Sequence, residues 1–290
     1  MITGEALRRR VIRRKRRDAV FHGIFLMCAL AGVAVLFILL LDVVKKSAGW
    51  LDIGFITSFD SRKFEEAGMA AGIVGSLCLI AIAAPLSFVL GVATAVYLEE
   101  FAKPGRINWL IQTNISNLAG VPSIVYGLLG LAIFVRYLGF GRSVLSGGLT
   151  LTLLILPIVI VASREAIRAV PAGLRHASYA LGAGKWTTVL RVVLPSALPG
   201  MLTGSILAVS RALGETAPIL IVGAVTYTAK LPQSLFDSFT AMPIQIYNWT
   251  GLPKEEFRHV AAAGIVVLMI VLLSVNALAI MLRNKYSGKR

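Results

Sequence analysis

The sequence predicts an all-α polytopic membrane protein with six transmembrane helices. The chain of 290 residues is 57% hydrophobic and only 15% charged, whereas soluble domains carry about a quarter charged residues. Its apolar residues are concentrated in six runs, and most of these are long enough to cross a hydrocarbon core about 30 Å thick. Lysines and arginines cluster at the ends of the runs, which suits a membrane surface better than a nucleic acid.

The first predicted span is residues 20–41, preceded by a basic tail at 1–19. This span carries one histidine and no charge. It is longer than the apolar part of a signal peptide, about 7–15 residues, so we expect a retained helix. The other spans are predicted at 69–98, 115–138, 148–163, 197–225 and 260–282, and a basic tail at 283–290 ends the chain.

Prolines and polar residues indicate that these spans are not uniform. Pro85 and Pro157 lie inside the second and fourth spans, where neighbouring helices must satisfy the freed carbonyls. The third span contains Asn117 and Ser123 and is too polar to face lipid all round. One of its faces should therefore pack inward or line a path.

The distribution of basic residues predicts the orientation. Six spans place both termini on one side of the membrane. The two tails and the loops 99–114 and 164–196 together hold 19 lysines and arginines, against 8 in the loops on the opposite side. The positive-inside rule therefore predicts that both termini and the segment 164–196 are cytoplasmic.

Segment 164–196 is too polar to span a membrane and too rich in helix formers for a coil. Gly182 and Gly184 predict a turn at its middle. A short amphipathic helix should follow, because apolar residues recur there at near-helical spacing: Trp186, Val189, Leu190 and Val193. A helix lying on lipid headgroups and a helix docking in a groove of a cytoplasmic partner both fit this pattern.

The same segment resembles the EAA loop of bacterial ABC importer permeases, whose pattern is E-A-A-x3-G-x9-I-x-L-P. The glycine and the Leu-Pro pair match at the right spacing, whereas the family's glutamate and second alanine are replaced by His176 and Ser178. The full pattern falls on His176, Ala177, Ser178, Gly182, Val192, Leu194 and Pro195.

Three other segments are similar to phosphate importer permeases, the Pst system. They are Asn117-Leu-Ala-Gly-Val-Pro-Ser-Ile-Val-Tyr-Gly127, Ser210-Arg-Ala-Leu-Gly-Glu-Thr-Ala-Pro218 and Thr240-Ala-Met-Pro-Ile-Gln-Ile-Tyr-Asn-Trp249. The last segment, and the Ala-Pro that follows Gly-Glu-Thr, most resemble the PstA subunit. The resemblance covers about residues 68–285.

The resemblance implies a type I ABC importer permease fold, with the permease domain at 69–282, in the bacterial cytoplasmic (inner) membrane. It also implies three partners: a sister permease like PstC, a dimer of cytoplasmic ATPases like PstB, and an extracytoplasmic phosphate-binding protein like PstS. ATP and magnesium would be bound by the ATPase. The chain itself would need no cofactor or metal and would have no catalytic residue.

The resemblance further implies that the cytoplasmic segment couples the chain to the ATPase. The residues expected to do so are His176, Ala177, Ser178, Gly182, Ala183, Gly184, Trp186, Leu194 and Pro195. Arg164 and Glu165, just before them, would either attract departing anions or cap a helix. Tyr247 and Trp249, on the opposite side, would form an outer lid or anchor the chain at the headgroups.

Arg211 and Glu215 are the candidate centre of a substrate path. They are four residues apart inside the predicted fifth span, and so share one helix face. Arg211 lies about 20 Å beyond Ala197, near the middle of the bilayer. A charge there should face the bundle interior or water.

Two interpretations of this pair remain open. In one, Arg211 offers forked donors to phosphate oxygens while Glu215 partly neutralises it, and Thr216, Asn117 and Ser123 belong to the same path. In the other, the pair is a structural ion pair and the polar residues bond between helices. Pro218 frees a backbone carbonyl beside Glu215, which predicts either a hinge or a static kink.

Enzyme motifs are missing from the sequence. It contains neither the Walker pattern G-x-x-x-x-G-K-[ST] nor H-E-x-x-H, and its three histidines form no local metal motif. Two alternatives to a phosphate permease stay open at this stage. One is a permease for another oxyanion, such as sulfate or molybdate, and the other is a membrane signalling or scaffold subunit.

Overall fold

A computed structural model describes residues 4–225, 227–228 and 230–287, and all regular structure in these ranges is helical. Five of the described helices are long and apolar enough to cross a membrane. A sixth crossing arises where the helices 106–118 and 123–137 form one span with a bend of 102°. The arrangement agrees with the all-α membrane fold that the sequence predicts.

Most helices follow one another with short connections, and the longest connection joins the helix that ends at Val222 to the helix that begins at Met242. Three of them are extended by π-helical segments, at Tyr97–Phe101, Leu131–Tyr137 and Val189–Val193. A single 3₁₀ turn lies at Phe64–Glu66. The α-helices are α1 Gly4–Ser47, α2 Ile53–Thr57, α3 Ala70–Val96, α4 Arg106–Leu118, α5 Ser123–Gly130, α6 Val144–Arg168, α7 Ala172–Ala180, α8 Lys185–Thr188, α9 Leu194–Gly214, α10 Ala217–Val222, α11 Met242–Thr250 and α12 Glu256–Ser287.

Helix α1 stands at the edge of the bundle. It contains the whole predicted first span, and most of its large apolar side chains from Val20 to Val44 are exposed. It packs against α12, near whose start the His259 ring contacts the Lys46 carbonyl oxygen at 2.9 Å and stacks on Trp50. An apolar helix with this much free surface suits contact with lipid or with another membrane subunit.

The main core forms where α3 and α6 pack against each other and against α5, α9 and α10. Small residues let these helices approach closely. A Cβ on Gly91 of α3 would lie 2.7 Å from Val159 Cγ1 of α6. Such contacts between small and branched residues are typical of helix pairs in membranes, where packing rather than the hydrophobic effect drives association.

A second core lies at the other end of the bundle, between α2, α11 and the start of α12. Trp249 is 1% exposed there, and its Nε1 donates a hydrogen bond to Asp60 Oδ1 at 2.9 Å. The predictions of a lid or a headgroup anchor are therefore wrong for Trp249. The ring is a core residue because its N–H finds a buried acceptor. Tyr247, on the same helix, is exposed.

Three predicted spans differ from the observed helices. The fourth extends beyond 148–163 at both ends, and Ser143 caps its start by accepting from the Ser146 N–H. The third begins earlier than residue 115 and bends before Pro122, which disfavours helical backbone at Val121. The fifth is not one helix over 197–225, since it runs from Lys185 to Gly214 and is then interrupted.

Candidate translocation and coupling sites

Arg211 and Glu215 form an ion pair at the point where the fifth span breaks. Arg211 Nε lies 3.1 Å from Glu215 Oε1. The arginine side chain is 48% exposed and the glutamate side chain 16%. The pair therefore has a half-exposed cationic member and a mostly buried anionic one.

The break has a local cause in the sequence. Helix α9 ends at Gly214, and Glu215 has an extended backbone with ψ 129°. Pro218 occupies the first turn of α10, where its missing N–H costs nothing. The earlier interpretation of Pro218 as a hinge or kink within one helix is therefore corrected: it begins a new helix. Arg211 lies in the last turn of α9, where the helix dipole favours a cation.

The break in the fifth span packs against the broken third span. A Cβ on Gly127 of α5 would lie 2.7 Å from Pro218 Cα, so the two backbones are in direct contact. Next to it, the buried Tyr126 donates its hydroxyl proton to the Leu118 carbonyl at 2.8 Å. The two interrupted spans thus meet beside the ion pair.

The other predicted path residues lie around this meeting point. Thr216 is half-buried between α9 and α10, Ser123 is half-buried at the start of α5, and Asn117 is exposed near the end of α4. Within the ranges that the structure describes, none of these three side chains has a hydrogen-bond partner. The interhelical bonds considered from the sequence are therefore not formed by Asn117 or Ser123, and their donors remain available.

Segment 164–196 folds, after the end of α6, as two short helices around a tight turn, as the glycines predict. Helix α7 carries His176, Ala177 and Ser178. Gly182 follows it with φ +81°, and the Ala183 N–H bonds back to the Ser178 carbonyl at 3.2 Å. This is the glycine-dependent helix end that explains why the motif requires a glycine at this position. Gly184 then forms the N-cap of α8.

Side chains of the segment divide between its interior and its surface. Ser178 is buried, and its hydroxyl lies 2.8 Å from that of Thr188, which holds the two helices together. Val189 and Val193 are buried, whereas Leu194 and Pro195 are half-buried where α9 begins. The predicted amphipathic helix is thus real, but it continues into the fifth span without a break.

An apolar patch on the segment faces outward. Leu181 is 90% exposed and Trp186 61% exposed, and Trp186 leans on Phe101 with ring centroids 5.7 Å apart. His176 and Ala177 are exposed on α7. We name this the docking patch; its members are Leu174, His176, Ala177, Tyr179, Leu181 and Trp186. So many exposed apolar side chains on a polar segment mark a surface for contact with a protein or with the membrane.

A charged cluster at the same end of the bundle was missed from the sequence. Arg164 Nε lies 2.7 Å from Glu99 Oε1, and Arg168 Nε lies 2.8 Å from Glu99 Oε2. The Arg164 side chain is 6% exposed, so it is not open to passing anions, and the interpretation of Arg164 as an anion attractor is wrong. Glu165 is exposed and pairs with Arg168 at 3.3 Å.

Sequence spacing alone gave little reason to join these groups. Glu99 and Arg164 are 65 residues apart in the chain. The available indication was that two adjacent carboxylates end the second span while arginines end the fourth. Because the second and fourth of six spans cross the membrane in the same direction, their ends lie on the same side, and a pairing was in principle predictable. Among the residues that the structure describes, no group of three or more His, Cys, Asp or Glu side chains could hold a metal ion.

Comparisons with known proteins agree with this geometry. A family model described as "Binding-protein-dependent transport system inner membrane component" matches residues 87–287. The phosphate transport system permease protein PstA 1 of Mycobacterium tuberculosis is 38% identical over 225 residues, covering 77% of this chain and 73% of that protein. The probable ABC transporter permease protein YqgI of Bacillus subtilis is 32% identical over 280 residues, covering 92% and 95%.

Solved structures show the same fold at low identity. A bacterial ABC transporter involved in the import of the acidic polysaccharide alginate has a chain that aligns with a TM-score of 0.66 at 13% identity. That alignment covers 95% of this chain and 99% of the other. The inward-facing MetNI methionine ABC transporter aligns with a TM-score of 0.62 at 18% identity, over 75% of this chain and 97% of the other.

The fold and the family match define the chain as a multi-pass transmembrane permease subunit of type I importer architecture. It belongs to the family of binding-protein-dependent transport system inner membrane components. Within that family, it belongs with the phosphate transport system permease proteins called PstA.

Proposed function

We propose that the chain is the membrane-spanning permease subunit of an ATP-driven phosphate importer, and that it forms the translocation path together with a sister permease like PstC. Its relatives are named as phosphate transport permeases. The observation that carries the proposal is the placement of Arg211. A half-exposed guanidinium lies where two broken spans meet, with unpartnered neutral donors nearby.

This arrangement suits an anion in transit rather than one bound permanently. A guanidinium matches phosphate oxygens with two parallel donors. Glu215 holds one of those donors at 3.1 Å and cancels part of the charge. The anion must displace the carboxylate to bind fully, which weakens the site and allows release. Thr216, Ser123 and Asn117, on the segments beside the two breaks, are proposed to add uncharged donors to the path.

The docking patch is proposed to contact an ATPase dimer like PstB. An exposed helix with apolar side chains suits insertion into a groove of a partner. Leu181 and Trp186 supply most of the exposed apolar surface of the turn and α8, and His176 and Ala177 lie beside them on α7. ATP and magnesium are bound and ATP is hydrolysed on that partner, so this chain acts as a transport subunit rather than an enzyme.

The orientation and the extracytoplasmic partner complete the proposal. Both termini and the docking patch lie in the cytoplasm, because the basic residues concentrate on that side. The surface formed by α2, α11 and the loops beside them then faces outward in a bacterial cytoplasmic membrane. There it receives phosphate from a binding protein like PstS.

The experiment is uptake of labelled phosphate by vesicles that contain the complete complex, with the binding protein and ATP supplied on their proper sides. We expect ATP-dependent phosphate accumulation that an excess of sulfate or molybdate does not inhibit. Accumulation of sulfate or molybdate instead would assign the path to another oxyanion. An assembled complex that accumulates none of these anions would contradict a transport role and leave a signalling or scaffold subunit.

A further inference from the structure

Arg175 joins three parts of the bundle at the cytoplasmic end. It belongs to α7, beside the docking patch. Its Nη2 and Nε lie 2.9 and 3.2 Å from Glu100 Oε1, at the end of the second span. Its Nη1 donates to the Val170 carbonyl at 2.7 Å, and Nη2 also donates to the Ile167 carbonyl at 2.9 Å. One half-buried side chain thus links α7 to the ends of α3 and α6.

Glu99, the residue before Glu100, makes a second set of ion pairs with α6. It accepts from Arg164 and Arg168, on the last two turns of α6. Arg164 also donates a hydrogen bond from Nη2 to Gln112 Oε1 of α4, at 2.6 Å. The cytoplasmic cluster, defined as Glu99, Glu100, Gln112, Arg164, Arg168 and Arg175, therefore connects α7 with α4.

Helix α4 leads from this cluster to the candidate path. It ends at Leu118, whose carbonyl accepts from Tyr126, and the bend that follows starts α5. Helix α5 packs on α10 through Gly127 and Pro218, next to Arg211 and Glu215. A displacement of α7 therefore has a continuous chain of hydrogen bonds and close packing along which to reach the ion pair.

The contacts are of a kind that resists being pulled apart. The arginines bond to ionised carboxylates at short distances, and such charge-assisted bonds are about twice as strong as neutral ones. Removing one partner from a largely buried pair leaves an unpaired charge, which destabilises the fold strongly. The cluster therefore moves as a unit in preference to dissociating. His176, which replaces the family glutamate, makes no side-chain hydrogen bond or ion pair within the described ranges, so the polar links run through Arg175.

We propose that Arg175 is the positioning residue that transmits movement of the docking patch to the translocation path, acting through Glu100 and the cytoplasmic cluster. This inference rests on the proposed function, because it presumes that α7 moves with an ATPase. Beyond that function, it names the residues through which the movement would pass. The first of them, Arg175, is not one of the residues expected to contact the ATPase.

The test compares phosphate transported per ATP hydrolysed in vesicles of the complete complex. The variants are Arg175→Gln, Glu100→Gln, the conservative Arg175→Lys, and the charge swap Glu100→Arg with Arg175→Glu. Arg106→Gln is the matched control, since Arg106 is an exposed cation at the same end with no ion-pair partner among the described residues. Assembly with the ATPase is measured in parallel.

We expect both single Gln variants to assemble and hydrolyse ATP while phosphate moved per ATP falls about tenfold, within the range usual for coupling between sites. Arg175→Lys lies between the extremes because it keeps the charge but has no guanidinium. The charge swap restores the ratio only in part, because a carboxylate at position 175 cannot donate to the Val170 and Ile167 carbonyls. If Arg175→Gln fails to assemble, Arg175→Lys decides: a ratio equal to wild type overturns the proposal, and a reduced ratio supports it.

Other results also overturn the inference. One is an unchanged ratio of phosphate transported to ATP hydrolysed in the two Gln variants. The other is an equal loss of ATP hydrolysis and phosphate uptake that the charge swap does not rescue. A wild-type complex that moves no phosphate would instead contradict the proposed function. The two failures are therefore distinguishable in the same experiment.

Discussion

Arg211 and Glu215 remain in contact although the helix that carries Arg211 ends just before Glu215. From the sequence, one continuous helix was expected to bring them onto the same face. In the structure α9 stops at Gly214, and the glutamate side chain reaches back from extended backbone to within 3.1 Å of Arg211. The pair thus belongs to a helix break, and broken helices are how membrane transporters commonly build ion and substrate sites.

Gly127→Val should destabilise the contact between the two broken spans. Even the Cβ of an alanine would lie 2.7 Å from Pro218 Cα, so a larger side chain forces α5 and α10 apart. We expect a loss of about 1–3 kcal/mol, the usual cost of overpacking, seen as a lower midpoint of thermal denaturation in detergent. Gly32→Val on α1 is the control, because nothing lies within 4 Å of its Cβ. Equal midpoints for the two variants would contradict the close approach.

Asp60→Asn should stabilise the outer end of the bundle at neutral pH. Burial raises the pKa of Asp60, although the hydrogen bonds from Trp249 and from the Ser61 backbone act in the opposite direction. The folded state therefore holds this proton more tightly than the unfolded chain does. The protonated Asp60 carboxyl therefore contributes to the free energy of unfolding. This contribution is fully present below the pKa of the unfolded state, about 3.9, and is lost as pH rises through the pKa of the folded state.

Thermal denaturation at several pH values checks this prediction. Asparagine keeps an acceptor for Trp249 Nε1 and removes the cost of burying a charge. The midpoint of Asp60→Asn should exceed that of wild type at pH 7, and the difference should shrink as the pH is lowered toward about 4. Asp18→Asn, an exposed carboxylate on α1, serves as the control. A difference that grows on acidification would show that the sign is wrong.

Leu181→Asp should weaken binding of the ATPase without unfolding the permease. Because Leu181 is 90% exposed, the change leaves the core intact. Loss of the leucine side chain from the docking patch should reduce the free energy of ATPase binding by about 1–2 kcal/mol or more, a fivefold or greater loss of affinity. The readout is retention of the ATPase during purification and in a titration. Leu51→Asp, at the opposite end of the bundle, is the control, and equal binding by both variants would place the interface elsewhere.

The sequence was sufficient to predict the membrane class and the helices that are apolar throughout. A long apolar segment in lipid must satisfy its own backbone hydrogen bonds, and a helix does this. Accordingly, α1, α3 and α12 contain the predicted first, second and sixth spans almost entirely. The turn at Gly182 was also predictable, because it depends on local backbone freedom and has φ +81°. These features depend on residues close together in the chain.

Features that depend on partners distant in the sequence were not predictable in the same way. Trp249 is buried because Asp60, 189 residues away, accepts its N–H. Glu99 and Arg164 pair across 65 residues. The breaks near Pro122 and Pro218 were read as features of continuous spans, since proline alone does not distinguish a kinked helix from the start of a new one. For Arg211 the residue type was informative, but its exposure required the structure.

The most direct test of the central claim is phosphate uptake by the complete complex carrying Arg211→Gln. Glu215→Gln and Arg136→Gln are measured beside it, and Arg136 is an exposed arginine of the third span without an ion-pair partner in the described part of the chain. Assembly and ATP hydrolysis are followed in the same vesicles. We predict that Arg211→Gln assembles and hydrolyses ATP but loses most uptake, whereas Arg136→Gln transports normally. Normal uptake by an assembled Arg211→Gln complex would contradict a role for Arg211 in the path.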